Sequence, residues 1–232
     1  MKLQEIKKGQ EGTGLLFEND GYLSYNHSSI NESSLNSNKF YTGGEWNIPF
    51  PFVVDVVFQK YGIKNANGRI YPENILKREV EKYQKRINDR SAYAELNHPE
   101  DSTIDGGRIA LNVIELHWEK QTLVGKAEIP ISYDFWKNGR IGCVADDAAS
   151  KIYFNRLKLG VSSRGLGSVK NQYGDLIVGD DFELICFDIV TDPSTPNAWI
   201  FNSDEEKSMY VENYKPITNS KLSKLDKLIT IL

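Results

Sequence analysis

The segment RIALNVIELHWEKQTLVGKAEIP, residues 108–130, does most to limit what this chain can fold into. Apolar and polar residues alternate along both halves, and the polar pair Lys120 and Gln121 interrupts them. That is the pattern of two antiparallel strands joined as a hairpin. A hairpin with one apolar face needs a second layer to cover it, and the rest of the chain offers one.

FPFVVDVVFQKYG (50–62) has the apolar density of a buried strand, and KNANGRIYP (64–72) breaks it with Asn-Gly turn chemistry. Pro72 and the spacing of Leu76, Val80, Tyr83 and Ile87 predict an amphipathic helix over 72–89. SAYAELNHPED (91–101) reads as a short strand ending at a proline. RIGCVADDAASKIYFNRLKLG (140–160) reads as a second helix, with Val144, Ala148, Ile152 and Leu157 on one face and Gly160 as its stop. LGVSSRGLGS (159–168) continues into a strand, NQYGD is a turn, and DFELICFDIV is a buried strand with a proline-rich exit. The fold class expected from these elements is α+β, with an antiparallel sheet and a few covering helices. Residues 1–48, rich in Asn and Ser around NHSSINESSLNSNKF, are expected to be an extension or arm; 49–202 the main domain; and 203–232, with SKLSKLDKLITIL, a tail with an amphipathic helix.

Composition narrows the function classes. With 40% hydrophobic and 26% charged residues the 232-residue chain is expected to form one soluble domain, and no segment has the apolar length of a membrane span or signal peptide. A net charge of −4 gives no electrostatic reason to bind nucleic acid or an anionic membrane. Cys143 and Cys186 form no CxxC pattern, so neither a disulfide framework nor a zinc site is expected, and two reduced thiols suit a cytosolic product.

Three histidines define the search for chemistry. His27 lies in the polar arm and His117 on an outward strand position, whereas His98 in ELNHPED ends an apolar strand, where loops display reactive groups on a rigid scaffold. A serine nucleophile needs a general base, a group orienting that base, and N–H donors for the oxyanion. VSSRGLG offers Ser162, Ser163 and glycine-flanked backbone beside Arg164. Adjacent strand residues face opposite ways, so only one serine can meet His98, and alternation does not say which. A bulged or hairpin-end strand, or an anion-binding loop beside Arg164, would also account for this stretch taken alone.

Four stretches taken in order are more specific: NANGRIYPENIL (65–76), AELNHPED (94–101), LGVSSRGLGS (159–168) and VTDPSTPNAW (190–199). Over residues 50–200 they resemble the prohead core proteases of myovirus-type tailed bacteriophages, serine peptidases of the herpesvirus assemblin type. The resemblance implies a mostly antiparallel β-barrel flanked by helices. It implies His98 as general base and Ser162 as nucleophile; Ser163 is the alternative, favoured by the Ser-x-Gly spacing of siphophage-type prohead proteases. Asp188 of ELICFDIV matches the family's aspartate and would orient His98. Assemblins use a second histidine there, and Asp101 and Asp105 are the fallback acids. Alternation places Asp188 with Cys186, opposite Phe187 and Ile189, which is compatible with an exposed side chain.

N–H groups around Arg164 and Gly165 would hold the oxyanion, with no metal or cofactor. The implied substrates are phage scaffold, capsid and other internal head proteins, and the enzyme itself, cleaved inside the assembling prohead in the host cytoplasm. The implied cleavage follows glutamate in a Leu/Ile-x-Glu context, which LQE (3–5) and INE (30–32) match, so Glu5 and Glu32 are candidate self-cleavage sites. A homo-oligomer is compatible with the sequence. The rival reading is a catalytically silent structural or scaffold-associated virion protein of the same fold.

Overall fold

The expected hairpin forms, with its turn at the expected place. In the computed structural model, which describes residues 12–17, 47–99 and 101–201, Ile109–Glu119 and Thr122–Ile129 pair antiparallel across Lys120, whose φ of 55° suits a tight turn. A register shift between Val113 and Glu115 brings the backbone of Gly125 against Glu115. A Cβ at Gly125 would lie 1.9 Å from the Glu115 carbonyl oxygen, so only glycine fits.

In chain order the elements are β1 (Gly12–Phe17), β2 (Phe52–Lys60), β3 (Arg69–Ile70), α1 (Glu73–Asn88), β4 (Tyr93–Glu95), β5 (Ile109–Glu119), β6 (Thr122–Ile129), α2 (Tyr133–Asn138), α3 (Val144–Ala149), β7 (Gly160–Gln172), β8 (Asp175–Val178), β9 (Glu183–Val190) and β10 (Ile200–Phe201). They make two five-stranded sheets. One runs β10-β2-β6-β5-β4; the other runs β1-β7-β8-β3, with β9 also paired to β7. Most pairs are antiparallel, the short β3–β8 pair being parallel.

The α+β class holds, but no closed barrel forms among the described residues. Among the described residues the backbone ladders of the two sheets are linked by single bridges, Leu96 to Ile189 at one seam and Gly160 to Trp199 at the other. Closure needs continuous ladders between all neighbours; β4 and β10, at three and two residues, are too short to supply them.

The core lies between the sheets and under α1. Leu76, Val80, Tyr83 and Ile87 are buried as the helical spacing predicts, and Tyr83 meets the ring of Phe187 edge-on at 5.7 Å. Phe58 of β2 packs on the same Phe187 at 5.0 Å, so one β9 side chain joins helix and both sheets. Burying each such side chain stabilises the fold by roughly 1.5–3 kcal/mol.

The second expected helix is shorter than 140–160. It runs over Val144–Ala149, passes into a π-helical turn at Ser150–Phe154 and ends at Asn155. The wider turn shifts the apolar stripe: Ala148 and Ile152 are buried, but Leu157 is exposed. Gly160 opens β7 rather than closing the helix, and a Cβ there would lie 2.6 Å from the Ala198 carbonyl oxygen. The helix α2 was not expected, although Ser132 caps its start by accepting from the Phe135 N–H and Gly139 ends it with a φ of 71°. Part of the expected arm, Gly12–Phe17, pairs with β7 between Arg164 and Val169. The rest of that arm up to residue 46, with His27, Glu5 and Glu32, and the expected tail helix lie outside the described residues.

Candidate active site

His98 is delivered by the end of β4. Leu96 bridges to Ile189, the Asn97 N–H donates to the Ile189 carbonyl at 2.8 Å, and Asn97 takes a left-handed φ of 65°. Asparagine tolerates that conformation better than most side chains, so the chain turns sharply here. The turn sets the next residue, His98, beside Asp188, the neighbour of Ile189: His98 Nδ1 lies 2.7 Å from Asp188 Oδ2, and both side chains are buried.

Asp188 is not exposed. Both faces of this part of β9 are covered, and Asp188 sits at 0% exposure in a cluster of donors. Its Oδ1 accepts from the Glu95 N–H at 2.9 Å, Arg164 Nη2 at 3.2 Å and the Cys186 thiol at 3.2 Å; Arg164 Nε lies 2.9 Å from Oδ2. Two of these contacts come from the Arg164 guanidinium, a planar fork of N–H donors that cannot accept. A carboxylate can only accept, so His98 Nδ1 carries the proton and Nε2 is left as the basic nitrogen. Burial first, then the Asp188 charge, push the Cys186 thiol well above its usual pKa, keeping it a neutral S–H donor.

The strand register separates the two serines. Ser162 stands opposite Asp188 and Ser163 opposite Phe187. Directly paired residues of an antiparallel ladder point to the same face, with Cβ atoms about 4.5–5.5 Å apart. Ser162 thus shares the face of Asp188, Cys186 and Arg164, whereas Ser163 turns to the core, where Gln59 Nε2 donates to its hydroxyl at 3.0 Å and Gln59 in turn accepts from Thr195. Both serines are buried.

Arg164 and Gly165 occupy a stretch of β7 paired with β1 on one edge and β9 on the other. The register shift there leaves the extra residue, Ile185, on β9. The Arg164 side chain enters the buried cluster, and Gly165 admits Phe182: a Cβ would lie 2.4 Å from that ring. The fallback acids make local turns instead, Asp101 accepting from the Thr103 N–H and Asp105 from the Gly107 N–H. His117 is half-exposed between Glu115 and Glu119. A cavity of about 490 Å³ opens beside His98, walled by Pro99, Thr103, Ile104 and Arg108.

The arrangement of a buried acid, a histidine and a serine across the ladder gains its meaning from comparison. The profile of prohead core protein serine proteases matches residues 15–208. The chain belongs to that family. It is 30% identical over 162 residues to the prohead core protein protease of Enterobacteria phage T4, covering 68% of this chain and 72% of that protein. The solved structure of the bacteriophage T4 capsid assembly protease is 28% identical, with a TM-score of 0.52 over 60% of this chain and 80% of that one. The chain is thus a phage prohead maturation protease.

Sequence reasoning missed Glu95. It is wholly buried and accepts from Arg164, Arg108 and the Asp105 N–H. A carboxylate between Ala94 and Leu96 in an apolar strand was the available signal, since such a group requires a partner.

Proposed function

We propose that this prohead protease is a serine endopeptidase in which Ser162 attacks, His98 serves as general base and Asp188 orients His98. The observation that carries the reading is the 2.7 Å contact of Asp188 with His98 Nδ1 on the strand position directly opposite Ser162. His98 Nε2 takes the Ser162 proton as Oγ bonds to the peptide carbonyl carbon. It then gives the proton to the leaving amine, and a water molecule activated by the same nitrogen releases the acyl group from Ser162. Asp188 stabilises the imidazolium without taking its proton. The expectation that N–H groups around Arg164 and Gly165 hold the oxyanion gains no support from the ladder, where both residues are paired on both edges.

The substrates are phage scaffold, capsid and other internal head proteins, cleaved inside the prohead, with self-cleavage after Glu5 or Glu32. The cavity beside His98 is the natural place for a substrate side chain. Purified protein incubated with a head-protein substrate tests the reading: the native chain yields defined fragments, and His98→Ala yields none. Fragments from His98→Ala at the native rate would sink it.

A further inference from the structure

Arg164 makes contacts that a strand residue two places from a nucleophile does not need. Its Nε and Nη2 hold the two oxygens of Asp188, Nη2 also reaches Glu95 Oε1 at 3.2 Å, and Nη1 donates to the Asp101 carbonyl at 2.8 Å. Glu95 and Asp101 stand three residues before and three after His98. One guanidinium therefore grips both ends of the turn that carries His98, and also the acid behind it. The side chain is entirely buried, so it does not offer itself to a substrate.

We propose that Arg164 is the positioning residue of this site, its side chain, balanced by Glu95, fixing Asp188 and the path of the His98 turn. The inference rests on the Ser162–His98–Asp188 reading above. Only arginine supplies a planar fork of five donors that can hold two carboxylates and a carbonyl at once; lysine keeps the charge and loses the fork. Arg108 makes the cluster electrically tolerable: Arg164 faces two buried carboxylates, and Arg108 meets Glu95 from the other side at 3.1 Å, so two cationic side chains stand against two carboxylates. An arginine needed only for its backbone N–H would tolerate any side chain that leaves β7 intact.

The test is Arg164→Lys in the full chain, with Glu95→Gln as a second variant should the first fail to fold, each checked by circular dichroism. With displaced catalytic groups, kcat falls about 100-fold while KM stays within threefold. A separate readout does not need activity. The chain has only three histidines, so ¹⁵N-histidine labelling of Ser162→Ala protein isolates the His98 Nδ1 proton, shielded by Asp188. That proton should give a sharp downfield signal, lost to solvent exchange when Arg164→Lys or Glu95→Gln is added. Unchanged kcat and an unchanged signal in a folded variant overturn the inference. Should Ser162→Ala remain active, the catalytic reading fails instead, and the His98 signal still decides the role of Arg164.

Discussion

Replacing Asp188 by asparagine perturbs the centre of the site at almost constant volume. The carboxylate has contacts with His98 and Arg164 Nε at one oxygen and with the Glu95 N–H, Arg164 Nη2 and the Cys186 thiol at the other. An asparagine must turn its NH₂ toward one of these sets, and each contains an Arg164 N–H that cannot become an acceptor. Breaking a buried pair by neutralising one partner costs about 3–5 kcal/mol. For a chain of this size that lowers Tm by roughly 6–20 °C. The catalytic loss is larger. If the NH₂ faces His98, the imidazole must carry its proton on Nε2, which then cannot accept from Ser162; in serine-protease triads this change lowers kcat about 10⁴-fold. Thermal unfolding followed by circular dichroism and single-substrate cleavage kinetics on the same preparation read both effects. An Asp188→Asn protein with kcat within tenfold of native, or with Tm within 2 °C, would refute the reasoning.

Asp146 ties α3 to the start of α2, accepting from the Ser132 N–H at 2.6 Å, the Ser132 hydroxyl at 2.8 Å and the Gly142 N–H at 2.9 Å, so Asp146→Ala should cost about 2–4 kcal/mol in urea unfolding. Burial pushes that carboxyl up, but these donors outweigh it and hold it below the usual range; its stabilisation is therefore present above the unfolded pKa and lost as pH falls through the lower folded value, a loss that Asp146→Asn should remove from the acid unfolding curve. Gly165→Ala should lower stability by about 1–3 kcal/mol or more, because the new methyl meets both the Phe182 ring and, at 2.6 Å, the Glu183 carbonyl; an unchanged Tm would show that the strands separate more readily than the packing implies.

What the sequence made legible was what depends on local period. Alternation placed β5 and β6, and the 3.6-residue stripe from Leu76 to Ile87 placed α1, because in each the apolar residues recur at the period of the element itself. The helix after Cys143 was overextended because a π turn at Ser150 is invisible to a 3.6-residue template. Asp188 was hard to place for another reason. Alternation gives its face but not what covers that face, and here His98, Glu95 and Arg164 arrive from β4 and β7. The same tertiary fact separates the serines: nothing in VSSRG tells which side of β7 faces β9's Asp188 cluster and which faces Gln59.

The central claim is that the side chain on the Asp188 face, Ser162, performs the chemistry and that Ser163 holds the core. Parallel alanine substitutions test it most directly, with rates measured on one head-protein substrate and folding checked by Tm. Ser162→Ala should abolish cleavage with Tm nearly unchanged. Ser163→Ala should keep cleavage within a fewfold and lose about 1–2 kcal/mol of stability, as Gln59 loses its buried acceptor. Cleavage surviving in Ser162→Ala and vanishing in a folded Ser163→Ala would contradict the account.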